Sequence, residues 1–172
     1  MYLIDLLRGF EFQSKCDRIL KNSQITGITA DSRKVQPGFL FSALPGISLS
    51  GLNFIQDALS RGAVAIMAPL TDAPYFSKDP AISIFYSDNV RREYSRLVGN
   101  FYNPYPQNIS AVTGTNGKTS VIEFSRQLLK ACGLPSASYG TLGLIYKGPP
   151  SDAGLTTPDP SDLYSKLSDL ER

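Results

Sequence analysis

The chain has 172 residues, 42% hydrophobic and 19% charged, with a formal net charge of +2. This is the composition of one ordinary globular domain or two small ones, not of a disordered segment. So small a charge argues against a nucleic-acid or membrane-surface partner. Histidine is absent, which excludes imidazole triads, His-ligated metals and imidazole proton shuttles, and leaves acid–base work to carboxylates, lysine or phosphate.

The first residues, Met1-Tyr2-Leu3-Ile4-Asp5-Leu6-Leu7-Arg8, lack the basic lead and long apolar core of a signal peptide. No apolar run approaches membrane length. Cys16 and Cys132 stand far apart without metal-ligand spacing, and read as buried thiols in a reducing cytoplasm. Residues 25–30 alternate with period two and predict a strand ending at Asp31-Ser32-Arg33. Pro37-Gly38 marks a turn, residues 39–44 a buried strand, and Pro45-Gly46 its stop. Asn53 is placed to cap a helix over residues 54–61, with Gly62 at its end. Strands are predicted over residues 63–68 and 81–86. Together these form a small α/β unit over residues 1–87.

A second portion, residues 88–172, opens on an amphipathic helix with Val90, Tyr94, Leu97, Val98 and Phe101 at helical spacing. A β-prone run, residues 109–113, then feeds Gly114-Thr115-Asn116-Gly117-Lys118-Thr119-Ser120 and a helix. Strand, glycine loop and helix start make an anion site: loop N–H groups and the positive helix end face phosphate, and Lys118 adds a full charge. Thr119 is placed to put its hydroxyl on a magnesium ion. The strict G-x-x-x-x-G-K-[ST] pattern is not met, since its first glycine falls at Val112. The bland alternative is a glycine turn capping a helix beside a solvated lysine. Two short strands, within residues 136–139 and 141–146, a mobile loop over residues 148–154, and a final helix capped by Ser161 with Leu163, Leu167 and Leu170 on one face complete the pattern. A phosphate-loop domain usually exceeds ~100 residues and needs a later strand offering an acidic magnesium ligand. The chain is therefore expected to be the N-terminal part of a longer enzyme, the alternative being a short natural product.

Several ordered blocks carry a resemblance. Asp31-Ser32-Arg33 with Pro37-Gly38 and Leu40-Phe41-Ser42-Ala43-Leu44-Pro45-Gly46 match D-S-R…P-G-x-L-F-x-A-x-x-G; residues 111–120 match A-V-T-G-T-N-G-K-T-S. Gly140-Thr141-Leu142-Gly143 and Thr156-Thr157-Pro158-Asp159-Pro160 match G-T-L-G and T-T-P-D-P. With these the chain resembles the Mur ligases, ATP-dependent amide ligases of peptidoglycan synthesis, and is most similar to the MurE branch that adds the third stem-peptide residue. The resemblance implies an α/β uridine-nucleotide domain followed by the opening of a P-loop-type parallel-sheet ATP-binding domain, in a cytoplasmic, monomeric enzyme.

By the same resemblance, Ala30, Ser32, Ile47, Ser48 and Leu49 lie on the uridine-diphosphate side of the substrate, and Thr156 and Thr157 on its muramoyl-peptide end. Residues 114–120 form the ATP loop, with Lys118 catalytic and Thr119 on magnesium. The substrates implied are ATP, UDP-N-acetylmuramoyl-L-Ala-D-Glu and an amino acid, meso-diaminopimelate by its likeness to Gram-negative members, with lysine the other choice. Asp31-Ser32 and Thr156-Thr157 also have plain readings as turns. Ser50-Gly51 stands where relatives often have D-G, which leaves the nucleotide contacts of that loop open. Other implied readings are a D-Ala-D-Ala-adding Mur ligase, a non-catalytic nucleotide-sugar-binding remnant, or folylpolyglutamate synthase, whose loop usually reads G-K-G-S where this chain has Lys118-Thr119-Ser120.

Overall fold

The computed structural model describes residues 1–10, 23–46, 50–70, 82–151 and 158–171. Its centre is a four-stranded parallel sheet in the order β1 (Gly27–Thr29), β2 (Phe39–Ser42), β3 (Ala65–Pro69) and β4 (Ser83–Ser87). The register pairs Ile28 with Leu40, Phe41 with Ile66, and Met67 with Phe85. Ala65, Ile66, Met67 and Ala68 are all fully buried, because helices cover both faces of the sheet and leave no solvent side to a central parallel strand.

Strand alternation divides the core in two. Ile28, Leu40, Ala65, Met67 and Phe85 face a layer made by α1 (Leu3–Leu6) and α3 (Val90–Phe101). Phe41, Ile66, Ala68 and Tyr86 face α2 (Ile55–Ser60) together with Val35. Asn89 caps α3, its side chain accepting from Arg92 N at 3.1 Å, and Val90, Tyr94, Leu97 and Val98 form the buried stripe its spacing predicts. This helix shares its core with the sheet, so the packed unit runs beyond the end of β4.

The remaining elements are α4 (Lys118–Ala131), an antiparallel hairpin of β5 (Ser138–Gly140) and β6 (Gly143–Ile145), and α5 (Pro160–Glu171). Here the structure corrects several expectations. Residues 109–113 form no strand: they pair with no neighbour among the described residues, and Ile109 is half exposed. β-propensity without a partner strand leaves the ladder unmade. Cys132 is exposed rather than buried, and Cys16 lies outside the described residues. Ser50, not Asn53, caps the turn before α2, accepting from Leu52 N at 3.3 Å. Asp159, not Ser161, caps α5: its Oδ1 accepts from Ser161 N at 2.9 Å, with Pro160 in the first helical position.

The buried positions of α5 are Ser161 and Ser168 rather than the leucine face. Small side chains let α5 approach α3 closely, with Tyr164 lying where a Cβ on Gly99 would sit 3.2 Å from its ring. No helix among the described residues is long and apolar enough to cross a membrane.

Candidate functional site

Two sets of predicted residues fall on described backbone. The first lies where β1 ends. Asp31 N donates to Thr29 Oγ1 at 3.1 Å, and Asp31 Oδ1 accepts from Arg33 N at 3.0 Å, which folds Asp31-Ser32-Arg33 into a tight turn. Arg33 closes a fork on the same carboxylate, Nε to Oδ1 at 2.9 Å and Nη2 to Oδ2 at 2.7 Å, and holds it below the usual carboxylate range. Ala30 is half-buried at the head of this turn.

Ser32 is only 6% exposed, and its hydroxyl lies beside the Asp57 carboxylate on α2. That neighbour, together with Arg61 Nε at 2.9 Å, holds the Asp57 carboxyl below the usual carboxylate range. The Ser32 side chain thus braces the turn against α2, and direct contact with a ligand would require it to exchange Asp57 for that ligand. Arg91 Nη2 donates to Pro45 O at 2.6 Å, tying the Pro45-Gly46 loop to α3. Ile47, Ser48, Leu49, Thr156 and Thr157 lie outside the described residues.

The second set is the glycine loop. Gly117 takes a left-handed conformation, φ +78°, directly before α4, and a Cβ there would meet nothing within 4 Å. Glycine is needed for the backbone conformation rather than for space. A left-handed residue followed by the first turn of a 14-residue helix turns successive N–H groups toward one exposed concavity, the arrangement that binds anions. Gly114, Thr115, Asn116, Thr119 and Ser120 are all exposed. Lys118 Nζ curls over the loop, donating to Gly114 O at 2.6 Å and Thr115 O at 3.3 Å. These residues fit a polyphosphate: open amides, one ammonium at the rim and no carboxylate opposing it in the loop.

Thr119 Oγ1 lies 3.2 Å from Thr141 Oγ1, at the turn between β5 and β6. Thr141 is a contact the sequence reading missed; the G-T-L-G block held it, but nothing local says it meets Thr119. Among the described residues no cluster of three or more acidic or cysteine side chains could hold a metal ion.

The hairpin is fastened to α4 further along. Glu123 accepts from Arg126 Nε and Nη2, from Gln127 Nε2 at 3.1 Å and from Ser138 Oγ at 3.3 Å. Arg126 first, then Gln127, hold the Glu123 pKa down to about 2 from an ordinary 4.5. The unfolded chain therefore takes up this proton first. Stabilisation from Glu123 is complete above the ordinary value and is lost as the pH falls from about 4.5 through about 2. Melting curves between about pH 6 and pH 2 should show the gap between the natural chain and Glu123→Gln narrowing over that interval. A constant gap would remove this role from Glu123.

Residues 24–108 match the Mur ligase family, catalytic domain, and residues 112–172 match the Mur ligase middle domain. A UDP-N-acetylmuramoyl-L-alanyl-D-glutamate--2,6-diaminopimelate ligase from Brucella melitensis biotype 1 is 43% identical over 147 residues, 86% of this chain and 30% of that protein. The enzyme of the same name from Zymomonas mobilis is 42% identical over 152 residues, 88% of this chain and 30% of the other. A solved structure of a ligase with that name superposes with a TM-score of 0.69 at 25% identity, covering 99% of this chain and 33% of the other. The ligase UDP-N-acetylmuramoylalanyl-D-glutamyl-2,6-diaminopimelate--D-alanyl-D-alanyl ligase from Acinetobacter baumannii shares the fold at a TM-score of 0.51 and 20% identity. The chain spans about 30% of the length of the curated relatives it matches.

Proposed function

Since this chain belongs to the Mur ligase family, we propose that it carries the uridine-nucleotide unit and the ATP loop of a cytoplasmic ligase in peptidoglycan synthesis. The reaction proposed is addition of meso-diaminopimelate to UDP-N-acetylmuramoyl-L-Ala-D-Glu at the expense of ATP. The names of the relatives at 42–43% identity support this choice of substrates. The observation that carries the ATP half is the left-handed Gly117 opening α4 beside Lys118.

The chemistry proposed is carboxylate activation. The side-chain carboxylate of the substrate's D-glutamate attacks the γ-phosphorus of ATP, releasing ADP and giving an acyl phosphate. The amine of the incoming amino acid then attacks the acyl carbon, and phosphate leaves with the C–O bond. Transfer of this kind asks a protein mainly for position and charge neutralisation. The loop amides at residues 114–119 hold the phosphates in place, and Lys118 moves its ammonium from the loop carbonyls toward the β- and γ-oxygens, where charge builds. Thr119 offers its hydroxyl to a magnesium ion, which when bound neutralises phosphate charge. Ala30 and the turn behind it, with Ile47, Ser48 and Leu49, are assigned to the uridine diphosphate; Thr156 and Thr157 are assigned to the peptide end.

Calorimetric titration of the 172-residue chain with UDP and, separately, with Mg-ATP tests the two halves independently. Saturable binding of both is expected, at different sites, so that saturation with one leaves a site for the other. If neither ligand binds at millimolar concentration, the assignment of both loops is lost.

A further inference from the structure

The turn assigned to uridine nucleotide does not stand by itself; its back is held by a residue from the other end of the chain. Tyr94, on α3, is 1% exposed, so its hydroxyl must find a partner inside the fold. It donates to Asp159 Oδ1 at 2.7 Å, and Ala30 packs against the core cluster to which Tyr94 belongs. Asp159 Oδ1 also accepts from Ser161 N at 2.9 Å and Ser161 Oγ at 2.6 Å. One carboxylate oxygen therefore caps α5 and closes a relay from Asp159 through Tyr94 to Ala30. The relay joins α5 to α3 across 65 positions in sequence, and its far end is the residue at which β1 gives way to the Asp31-Ser32-Arg33 turn.

Further contacts bring α5 to the same place. Lys34 Nζ, at the end of the turn, lies 3.1 Å from Asp162 Oδ2. Both groups are about half exposed, and such a pair contributes little energy by itself, but it fixes the same two elements side by side. Tyr164 packs edge-on against Tyr105 with ring centroids 5.0 Å apart, and its hydroxyl lies beside Ser95. The Tyr102 hydroxyl lies beside Ser165. The seam between α3 and α5 is thus made of tyrosine and serine hydroxyls. Hydroxyl pairing depends on geometry more than burial does, so the seam sets the position of α5 closely.

We infer that Asp159 is a positioning residue for the nucleotide turn: by holding Tyr94 in the core cluster against which Ala30 packs, it makes uridine-nucleotide binding on the first unit depend on the docking of α5. The inference rests on the proposed assignment of Ala30 and Ser32 to the nucleotide. Linkage makes the dependence reciprocal, so that a bound uridine nucleotide steadies α5 in return. The segment that follows the ATP loop in sequence is in this way coupled to the site of the other substrate, without either ligand touching Asp159.

The test uses the 172-residue chain with UDP as the probe, and two measurements. Asp159→Ala removes the whole relay, while Tyr94→Phe keeps the ring in the core and removes only the hydroxyl. Each should weaken UDP binding about tenfold, and the double variant should be no weaker than either single one, since both cut the same relay. Asp159→Asn, which keeps an acceptor oxygen, should restore most of the affinity. Gly133→Ala, which strains the end of α4 at φ +77°, destabilises the fold elsewhere and should leave UDP affinity unchanged.

Hydrogen exchange without ligand supplies the second readout. The amides of Asp31, Arg33 and Lys34, all hydrogen-bonded within the turn, should exchange faster in Tyr94→Phe and Asp159→Ala. Wild-type exchange there in Tyr94→Phe overturns the relay, whatever UDP does. Faster exchange with unchanged UDP affinity overturns the positioning role and leaves Asp159 a helix cap. A natural chain that binds no UDP overturns the nucleotide assignment and the binding half of this inference with it, while the exchange data still decide whether the relay exists.

Discussion

Gly51→Ala is expected to destabilise the fold by about 3 kcal/mol, a fall in melting temperature of roughly 10 °C for a chain of this size. The added Cβ would sit 2.6 Å from Leu44 N and 2.7 Å from both Ala43 C and Leu44 O. All three are backbone atoms of the segment leaving β2, so no side chain can rotate aside to make room. Gly51 N also donates to Leu44 O at 2.9 Å, and separating the two strands of this loop would break that bond. Gly148→Ala is the matched control, since a Cβ there meets nothing within 4 Å; it should leave stability within about 0.5 kcal/mol. Gly51 closes the loop that carries Ile47, Ser48 and Leu49, and for that reason the same variant should weaken UDP binding beyond what its melting temperature accounts for. Thermal unfolding with and without UDP checks both statements, and a melting temperature within 2 °C of the natural chain would falsify the first.

Lys118→Ala is expected to reduce Mg-ATP affinity roughly 30- to 150-fold, the loss of about 2–3 kcal/mol that accompanies one hydrogen bond to a charged group. Lys118 supplies the single full positive charge of the loop, and its Nζ already lies at the rim against Gly114 O. The side chain sits at the start of α4, partly exposed, so its removal should change the melting temperature little. Lys118→Arg should rescue only part of the affinity, because a planar fork cannot follow the path of a flexible ammonium between loop carbonyls and phosphate. Calorimetry with Mg-ATP and with UDP on the same variant gives the discriminating pair. A loss confined to ATP assigns Lys118 to phosphate, and ATP affinity within twofold of the natural chain would take phosphate binding away from this loop.

Much of the architecture could be read from residue order. The four strands of the sheet were found within two residues of their ends, because each is a short apolar run bounded by Pro-Gly, Gly or polar residues, and both the run and its stops are local. The helix α3 followed from the spacing of Val90, Tyr94, Leu97 and Val98, whereas its Asn89 cap emerged only in the structure. The opening turn of the chain, α1, was missed: four residues are too few to show a helical period. The predicted strand at residues 109–113 failed for the opposite reason. Its residues have the propensity, but a strand exists only by pairing, and composition says nothing of a partner. Val121, Phe124 and Leu128 illustrate the same limit. They form an apolar stripe on α4 that predicts burial, and all three are more than half exposed.

The site divides along the same line. Gly114, Gly117, Lys118 and Thr119 could be recognised because loop, charge and helix start are contiguous, and the backbone of a few successive residues is enough to make an anion cradle. Ser32 was named as a ligand contact from its motif, but nothing in the motif says that its hydroxyl lies beside Asp57, 25 residues away in a different element. Thr141, Tyr94 and Asp159 were passed over altogether as site residues.

By itself, then, the order of residues determined the alternation of strands and helices, the phosphate-type loop and the family, since each depends on neighbours along the chain. Tertiary structure alone decided which polar group each hydroxyl meets: Thr119 with Thr141, Ser32 with Asp57, and Tyr94 with Asp159. Such pairs require elements distant in sequence to pack within hydrogen-bonding range, about 3 Å. That closeness is set by the sheet and by the seam between α3 and α5, and no local pattern encodes it.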